Sequence, residues 1–573
     1  MEQMNKFDRR FWLRLWKLTK PYWVSDQKWR ALGLLATIIA VGVLSIGIGA
    51  AFSFINRDLL NDLAKRDRAG VWSQLWKVLI ASVFFIPISA YFPWLIGHLT
   101  ILWREWMTRQ FLGRSFTNRA FYAINSAGHV DNPDQRISED INSFAGSTLT
   151  FVLTFLNAPI TGITYFVILW TISAKLALFM LLYALVGSYV SILVGRRLVS
   201  INFDQQRYEA DFRFGLVHVR DNAESIAMYG GEPYEEQQLH KRFAKLVRNF
   251  NLLIRWQRHL AFVTAAYNDP VALLPWFLLA GAYFAGKVEL GQLNQAGAAF
   301  ITLKGSVSVV VNQFNLIANY ACVVNRLAEF EEHCDSAIGH VGDGYEIEIE
   351  RAEAALRLES LTLATPGHER TLIRDLSLAA VRNQSILIQG ESGAGKTSLL
   401  RAIAGLWKSG SGKIARPDLE DLMFLPQRPY LVLGTLRDQL RYPRVIEASD
   451  EQLLSTLERV NLADLPARVG GFDSERNWSD FLSPGEQQRL AFARVLLHSP
   501  TFAFLDEATS ALDSANEETL YAQLGGVTAI SVGHRTSLLK HHTRVLHLAG
   551  DSTWRLSESG RTPPEKPDPR TMA

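Results

Sequence analysis

The sequence predicts an α-helical membrane half joined to a soluble α/β half. Three observations carry that expectation. Hydrophobic residues make up 48% of the 573-residue chain and charged ones 20%, with 15 Trp and 32 Phe, a balance that excludes a disordered or fibrous protein and points to a membrane. The apolar excess is concentrated before about residue 330, whereas the remainder alternates short apolar runs with glycine and charge, as soluble α/β domains do. Within that remainder an apolar run, Ser385–Gln389, leads directly into a glycine-rich loop.

Composition also excludes several classes. A net charge of +3, with no dense Lys/Arg cluster after residue 330, argues against a nucleic-acid partner. Cys322 and Cys334 stand alone, without a CxxC or histidines at zinc spacing, so two ordinary reduced thiols are expected. Before Trp29 no apolar core of signal-peptide length occurs, and no cleaved leader is expected.

In chain order, residues 1–30 hold an interfacial helix in which Phe7, Phe11, Trp12, Leu15, Trp16 and Leu18 alternate with Arg9, Arg10, Arg14, Lys17 and Lys20. Its aromatics suit headgroup depth and its cations anionic lipid. A membrane domain is expected over 31–330. Six spans are placed at 31–55, 77–102, 148–172, 176–195, 260–286 and 293–325, each as long as the roughly 20 residues a bilayer requires or longer. Lys304, Asn312, Gln313, Asn315 and Asn319 interrupt the last, which is costly against lipid and sensible where that face lines a cavity or a helix contact. Arg104, Arg109, Arg114, Arg119, Arg196, Arg197, Lys241 and Arg242 crowd the segments assigned to the inside, so the N-terminus and the C-terminal half are expected to be cytoplasmic. Inner segments of about 45 and 60 residues contrast with short outer loops, which leave no room for an external binding domain. A charged linker, 331–352, a soluble domain, 353–556, and a proline-rich disordered tail, 557–573, complete the chain.

The soluble domain carries the chemistry. Gly390, Glu391, Ser392, Gly393, Ala394, Gly395, Lys396, Thr397 and Ser398 form a complete P-loop between a strand and a helix. Its backbone N–H groups wrap phosphates, Lys396 meets the β/γ oxygens and Thr397 ligates Mg²⁺. The strand Thr501–Leu505 ends in Asp506, suited to the Mg²⁺ shell, and Glu507, suited to polarising an attacking water. Order strengthens both readings: Gln427 follows the strand Leu422–Pro426, Leu482–Glu486 precedes a helix upstream of Asp506, Ser510–Asp513 follows it, and His534 follows the strand Thr528–Val532.

Residues 353–556 thus resemble the ATPase domain of an ABC transporter. The resemblance implies ATP and Mg²⁺ as cofactors, Lys396 and Thr397 as the Walker A pair, and Asp506 and Glu507 as the Walker B acid and catalytic glutamate. It further implies Gln427 as the Q-loop residue, on the metal with Thr397 and Asp506, His534 as the switch histidine, and Asp513 as the D-loop acid. Ser483, Gly485 and Glu486 fill the signature, which meets the nucleotide held by a second subunit. Pro484 and Glu486 replace the usual Gly and Gln there, and Thr365–Pro366 stands where relatives place an adenine-stacking aromatic. For the membrane half, Asp131–Asp140, Glu224–Glu232 and Asn477–Phe481 resemble the peroxisomal fatty-acyl transporters and, more closely, their bacterial BacA-like relatives, with Ser225 where the family has a second acid. The first two motifs lie where such proteins place coupling helices.

What the resemblance implies is a half-transporter with the type IV, exporter-like ABC fold, working as a homodimer in the bacterial inner membrane. Its cargo would be hydrophilic, such as cobalamin or antimicrobial peptides. Export or translocation of lipid, acyl-CoA or drug substrates is the alternative, and a membrane-anchored regulatory ATPase the rival from another class. Asn268, Asp269, Lys304, Asn312 and Gln313 are the candidate cavity lining.

Overall fold

A computed structural model describes residues 9–127, 133–269, 273–309, 313–339, 347–353, 355–366 and 369–559. The chain divides into two compact units, Met1–His340 and Val341–Ala573.

The described part of the first unit is helical. Helix α1 spans Arg9–Trp23, α2 Lys28–Ala64, α3 Arg68–Phe116 and α4 Ala120–Ala127. A π-helical turn, Arg136–Asp140, leads into α5, Ile141–Ile172, followed by α6, Ala174–Asp221, α7, Ala223–Tyr229, and α8, Glu232–Asn268. Helices α9, Leu274–Phe284, α10, Leu290–Val307, and α11, Phe314–Gly339, complete it. Two connections are tight because caps start the next helix at once. Asp67 accepts the Ala69 N–H at the head of α3, and Ser173 alone joins α5 to α6, its hydroxyl accepting the Leu176 N–H.

Among the described residues three helices are long and apolar enough to cross a membrane: Lys28–Ala64, Arg68–Ser126 and Pro133–Ile172. These contain the first three expected spans. The fourth lies in the apolar start of α6; the fifth is divided between α8 and α9 and the sixth between α10 and α11, with 270–272 and 310–312 outside the described residues.

Two expectations change. Helix α1 is open on one face only: Trp12 and Trp16 are 58% and 63% exposed, but Phe11, Leu18 and Tyr22 are buried in protein, Tyr22 stacking on Trp103 with centroids 5.3 Å apart. The expected linker begins inside a helix, because α11 continues to Gly339. Its first three acids are paired: Arg14 donates to Glu332 at 2.9 Å, Lys17 to Asp335 at 3.0 Å, and Arg114 to buried Glu331.

The second unit contains two sheets. In the smaller, β1 (Glu348–Arg351), β5 (Gly410–Arg416), β2 (Ala355–Ala364) and β3 (Thr371–Val381) lie in that order. In the larger the order is β10 (Trp554–Glu558), β9 (Arg544–Leu548), β4 (Ile386–Gly390), β8 (Thr528–Val532), β7 (Phe502–Asp506) and β6 (Leu422–Leu425). Strands β4, β8, β7 and β6 are mutually parallel, and the runs Ile386–Ile388, Phe502–Leu505 and Thr528–Val532 are buried throughout, the signature of strands covered on both faces. Three helices matter for the site: α12 (Lys396–Ile403), α13 (Pro484–His498) and α14 (Ser514–Ala522). Residues 560–573 of the expected tail lie outside the described residues, and Glu558 closes β10.

Candidate functional site

Parallel strands deliver their loops to one edge of a sheet, and ligands bind in α/β proteins at that carboxyl edge. Here β4, β8, β7 and β6 end in the P-loop, His534, Asp506–Glu507 and Gln427 respectively. Register fixes their spacing, since Ile388 and Asp506 both lie opposite Val532.

The P-loop needs glycine where its backbone turns left-handed. At Gly390, φ is +152° and a Cβ would come within 2.2 Å of the Leu548 carbonyl oxygen; at Gly395, which caps α12, φ is +93°. Ala394 and Lys396 are buried, Ser398 is half-buried, and Glu391, Ser392, Gly393 and Thr397 are exposed. The Lys396 ammonium donates to the carbonyls of Gly390 at 2.7 Å and Glu391 at 2.9 Å, which orients it across the loop. Burial pushes its pKa down, while Glu507 and Asp506 pull the other way. Thr397 donates to the Asp506 carboxylate at 3.3 Å, and burial raises the Asp506 pKa against that hydrogen bond. A threonine hydroxyl beside a carboxylate is a pair of hard oxygen donors, which fits Mg²⁺.

Gln427, Glu507 and His534 also meet. Gln427 Nε2 donates to Glu507 Oε2 at 3.1 Å, and His534 Nε2 lies 3.7 Å from Glu507 Oε1. Glu507 adopts φ of +49°, and its N–H is held by the Val532 carbonyl at 3.1 Å. A left-handed glutamate is strained, and such strain concentrates at functional sites.

The signature departures have a physical reason. Ser483 is the N-cap of α13, Pro484 occupies the first turn, where its missing N–H costs nothing, and Glu486 completes a capping box. The Glu486 carboxylate accepts the Ser483 N–H and hydroxyl, each at 2.9 Å, and Arg468 donates to it at 2.6 Å. Burial alone would raise its pKa, yet these bonds hold it below the usual value. Gly485 packs against the Ala511 carbonyl, where a Cβ would stand 3.3 Å away. Asp513 caps α14, accepting the Asn516 N–H at 2.8 Å. Thr365 is engaged in its own turn, accepting from the Arg370 N–H at 3.1 Å, so it offers no aromatic surface.

Sequence reasoning missed three connecting residues. Buried Gln488 donates to the Gln427 carbonyl at 3.3 Å and to Ser510 at 3.1 Å, and accepts from the Ala511 N–H at 3.0 Å. Glu517, also buried, accepts from Thr509, Ser537 and Arg535, while Arg535 donates onward to the Leu512 carbonyl. Their only sequence signal is position: Gln488 two residues beyond the signature and Arg535 next to His534.

In the membrane unit, Asp140 is buried and accepts from Arg326 at 2.9 Å and Arg136 at 3.2 Å, while Asp131 and Asn132 of that motif lie outside the described residues. Lys304 lies over the Tyr267 ring, 5.0 Å from its centroid and within electrostatic reach of Asp269. Gln313 is half-buried; Asn312 and the Asn268 side chain lie outside the described residues.

Family models match both units: "ABC transporter transmembrane region 2" over residues 18–284 and "ABC transporter" over 373–510. An uncharacterized ABC transporter ATP-binding protein of Synechocystis is 45% identical over 544 residues, covering 93% of this chain and 82% of that one. The chain belongs to the ABC transporters and is related to their D family. The chloroplastic ABC transporter D family member 2 of Arabidopsis thaliana is 39% identical, with 96% of this transporter and 88% of that protein covered. The lysosomal cobalamin transporter of Homo sapiens is 30% identical, with 96% of each chain covered. In fold the transporter is similar to a bacterial Atm1-family ABC exporter solved with ATP bound, at a TM-score of 0.73 and 17% identity, covering 92% of this chain and 95% of that one. It is an integral membrane half-transporter whose ATPase domain binds and hydrolyses ATP to drive transport.

Proposed function

We propose that two copies of the chain form the working transporter, in a bacterial inner membrane, and that it takes up hydrophilic cargo such as cobalamin or a peptide. The observation that carries the dimer is where the signature spends its bonds. Ser483 donates within its own capping box, while Lys396, Thr397, Asp506, Gln427, Glu507 and His534 collect at the sheet edge, so each chain supplies one P-loop and one signature to two shared sites. Hydrophilic cargo is supported by Lys304 and Asp269 among the membrane helices and by the likeness to a cobalamin transporter.

At the site, P-loop N–H groups and Lys396 bind the phosphates of ATP. Thr397 and Asp506 would hold Mg²⁺, which when bound neutralises charge on the β- and γ-phosphates. As water attacks the γ-phosphorus, the bond to the β–γ bridging oxygen breaks and ADP leaves, while Glu507 accepts the water's proton, its carboxylate oriented by Gln427 and His534. Ser483 of the partner subunit closes the γ-phosphate side.

The test is ATP-dependent flux in vesicles containing only this protein, offered labelled cobalamin, labelled peptide and labelled acyl-CoA. Uptake of either hydrophilic cargo is expected. Flux of acyl-CoA alone would overturn the cargo assignment, and vigorous ATPase activity with no flux would leave a regulatory ATPase.

A further inference from the structure

A closed ring of hydrogen bonds runs through the base of the ATPase site. The Gln427 side-chain amide donates to Glu507 Oε2 at 3.1 Å. The Glu507 carbonyl accepts the Ser510 N–H at 3.0 Å, which makes 507–510 one tight turn. Buried Gln488 joins the two ends, its Nε2 donating to the Gln427 carbonyl at 3.3 Å and to the Ser510 hydroxyl oxygen at 3.1 Å. Its Oε1 accepts the Ala511 N–H at 3.0 Å, so both amide donors and an oxygen lone pair are engaged.

Three corners of this ring lie on loops at the sheet edge, but Gln488 belongs to α13, the helix that Ser483 starts. One turn before it, Gly485 faces the same segment, where a Cβ would stand 3.3 Å from the Ala511 carbonyl. Helix α13 therefore rests on the segment after Glu507 through one residue without a side chain and one with a fully engaged amide. A short helix moves as a rigid piece, so a shift of its N-terminus carries the Gln488 amide with it. That amide either breaks its bonds or draws Gln427 and Ser510 along. Both partners lead to Glu507, whose left-handed backbone, with φ of +49°, is held only by its surroundings.

We propose that Gln488 is a positioning residue for hydrolysis: through it, the seating of Ser483 on the nucleotide of the partner subunit sets the Glu507 carboxylate of its own chain. The proposal rests on the two-copy reading and deepens it, because each site becomes sensitive to nucleotide at the other. Two sites linked in this way give an ATP dependence steeper than a hyperbola, with a Hill slope between about 1 and 2.

The experiment compares the full chain with Gln488→Met, which keeps length and burial but has no amide, and with Ser510→Ala, which removes one partner of that amide. Steady-state hydrolysis across ATP concentration and calorimetric ADP binding are read on each. The unaltered chain should show a Hill slope of about 1.5 or more. Gln488→Met should bring the slope to about 1 and lower kcat by ~10-fold or more, since a misplaced reacting group costs up to about 100-fold, with ADP affinity kept within ~2-fold. Ser510→Ala should move slope and kcat the same way by less, because the bond to the Gln427 carbonyl remains, and it decides the question if Gln488→Met does not fold. A residue that merely packs would lower the melting temperature or the folded fraction and leave the slope unchanged. That result, or a hyperbolic ATP dependence in the unaltered chain, would overturn the proposal. Loss of ADP binding would put Gln488 in the nucleotide pocket, with the same consequence. Disulfide trapping separates the two readings, using Ser392→Cys with Ser483→Cys in a chain carrying Cys322→Ala and Cys334→Ala. A covalent dimer formed with ATP, alongside equal slopes with and without Gln488→Met, loses only the role of Gln488, whereas no dimer from the chain that retains Gln488 removes the two-copy reading itself.

Discussion

Glu507 holds a left-handed backbone while its carboxylate is gripped by Gln427 on one side and faced by His534 on the other. That geometry orients a base without neutralising it, so Glu507→Gln is expected to lower ATP turnover by about 100-fold or more while ATP stays bound. Steady-state hydrolysis and retention of labelled nucleotide check this together, and near-normal turnover would remove Glu507 from its role. Lys396→Ala should weaken binding itself, because the ammonium lying across the P-loop carbonyls is the cation that meets the phosphates. The P-loop was legible because its residues are consecutive, with a strand before and a helix after. Gln488, Glu517 and Arg535 were not, because what distinguishes them is contact between the 427, 485, 510 and 535 regions, which no local spacing encodes. Glu486 looked like a departure until the structure made it the third residue of a helix N-terminus.

Helix α13 is started by that capping box. Ser483→Ala removes a cap worth about 1 kcal/mol, which in a unit of this size lowers the melting transition of the ATPase half by about 2–4 °C, whereas Glu486→Gln keeps the reach-back bond, loses the ion pair with Arg468 and should lower it less. Differential scanning calorimetry of the full chain reads both. Beside β8, buried His542 donates from Nδ1 to the Leu538 carbonyl at 2.7 Å and accepts at Nε2 from Ser531 at 2.8 Å, Ser531 in turn accepting from Tyr521. Burial lowers the His542 pKa, as it does that of His498. The unfolded chain therefore binds these protons more readily, and stability present above about pH 6.5 is lost as pH falls through that value toward the folded pKa. Melting the ATPase half at pH 7.5 and 5.5 should show the loss, and His542→Gln should reduce it; a melting point independent of pH would contradict this account. At this scale the strands at the sheet edge were legible from continuous apolar runs, and the first three spans from uninterrupted hydropathy. The charged run at 331–335 read as a linker because composition cannot distinguish a solvated acid from one paired across helices with Arg14, Lys17 or Arg114.

At the scale of the molecule, a membrane half followed by a nucleotide-hydrolysing half was legible in composition and motif order, and both family matches agree with it. A second chain is not legible in that way, since a subunit contact leaves the same apolar or charged surface as a lipid or ligand contact. The central claim is that each nucleotide is closed between the P-loop of one chain and the signature of its partner. Disulfide trapping tests it most directly, with Ser392→Cys and Ser483→Cys placed together in a chain carrying Cys322→Ala, Cys334→Ala and Glu507→Gln. Oxidation with ATP present is expected to give a covalent dimer of two chains, and little product without ATP. A disulfide formed within single chains, or an ATP-hydrolysing species that stays monomeric, would contradict the composite site.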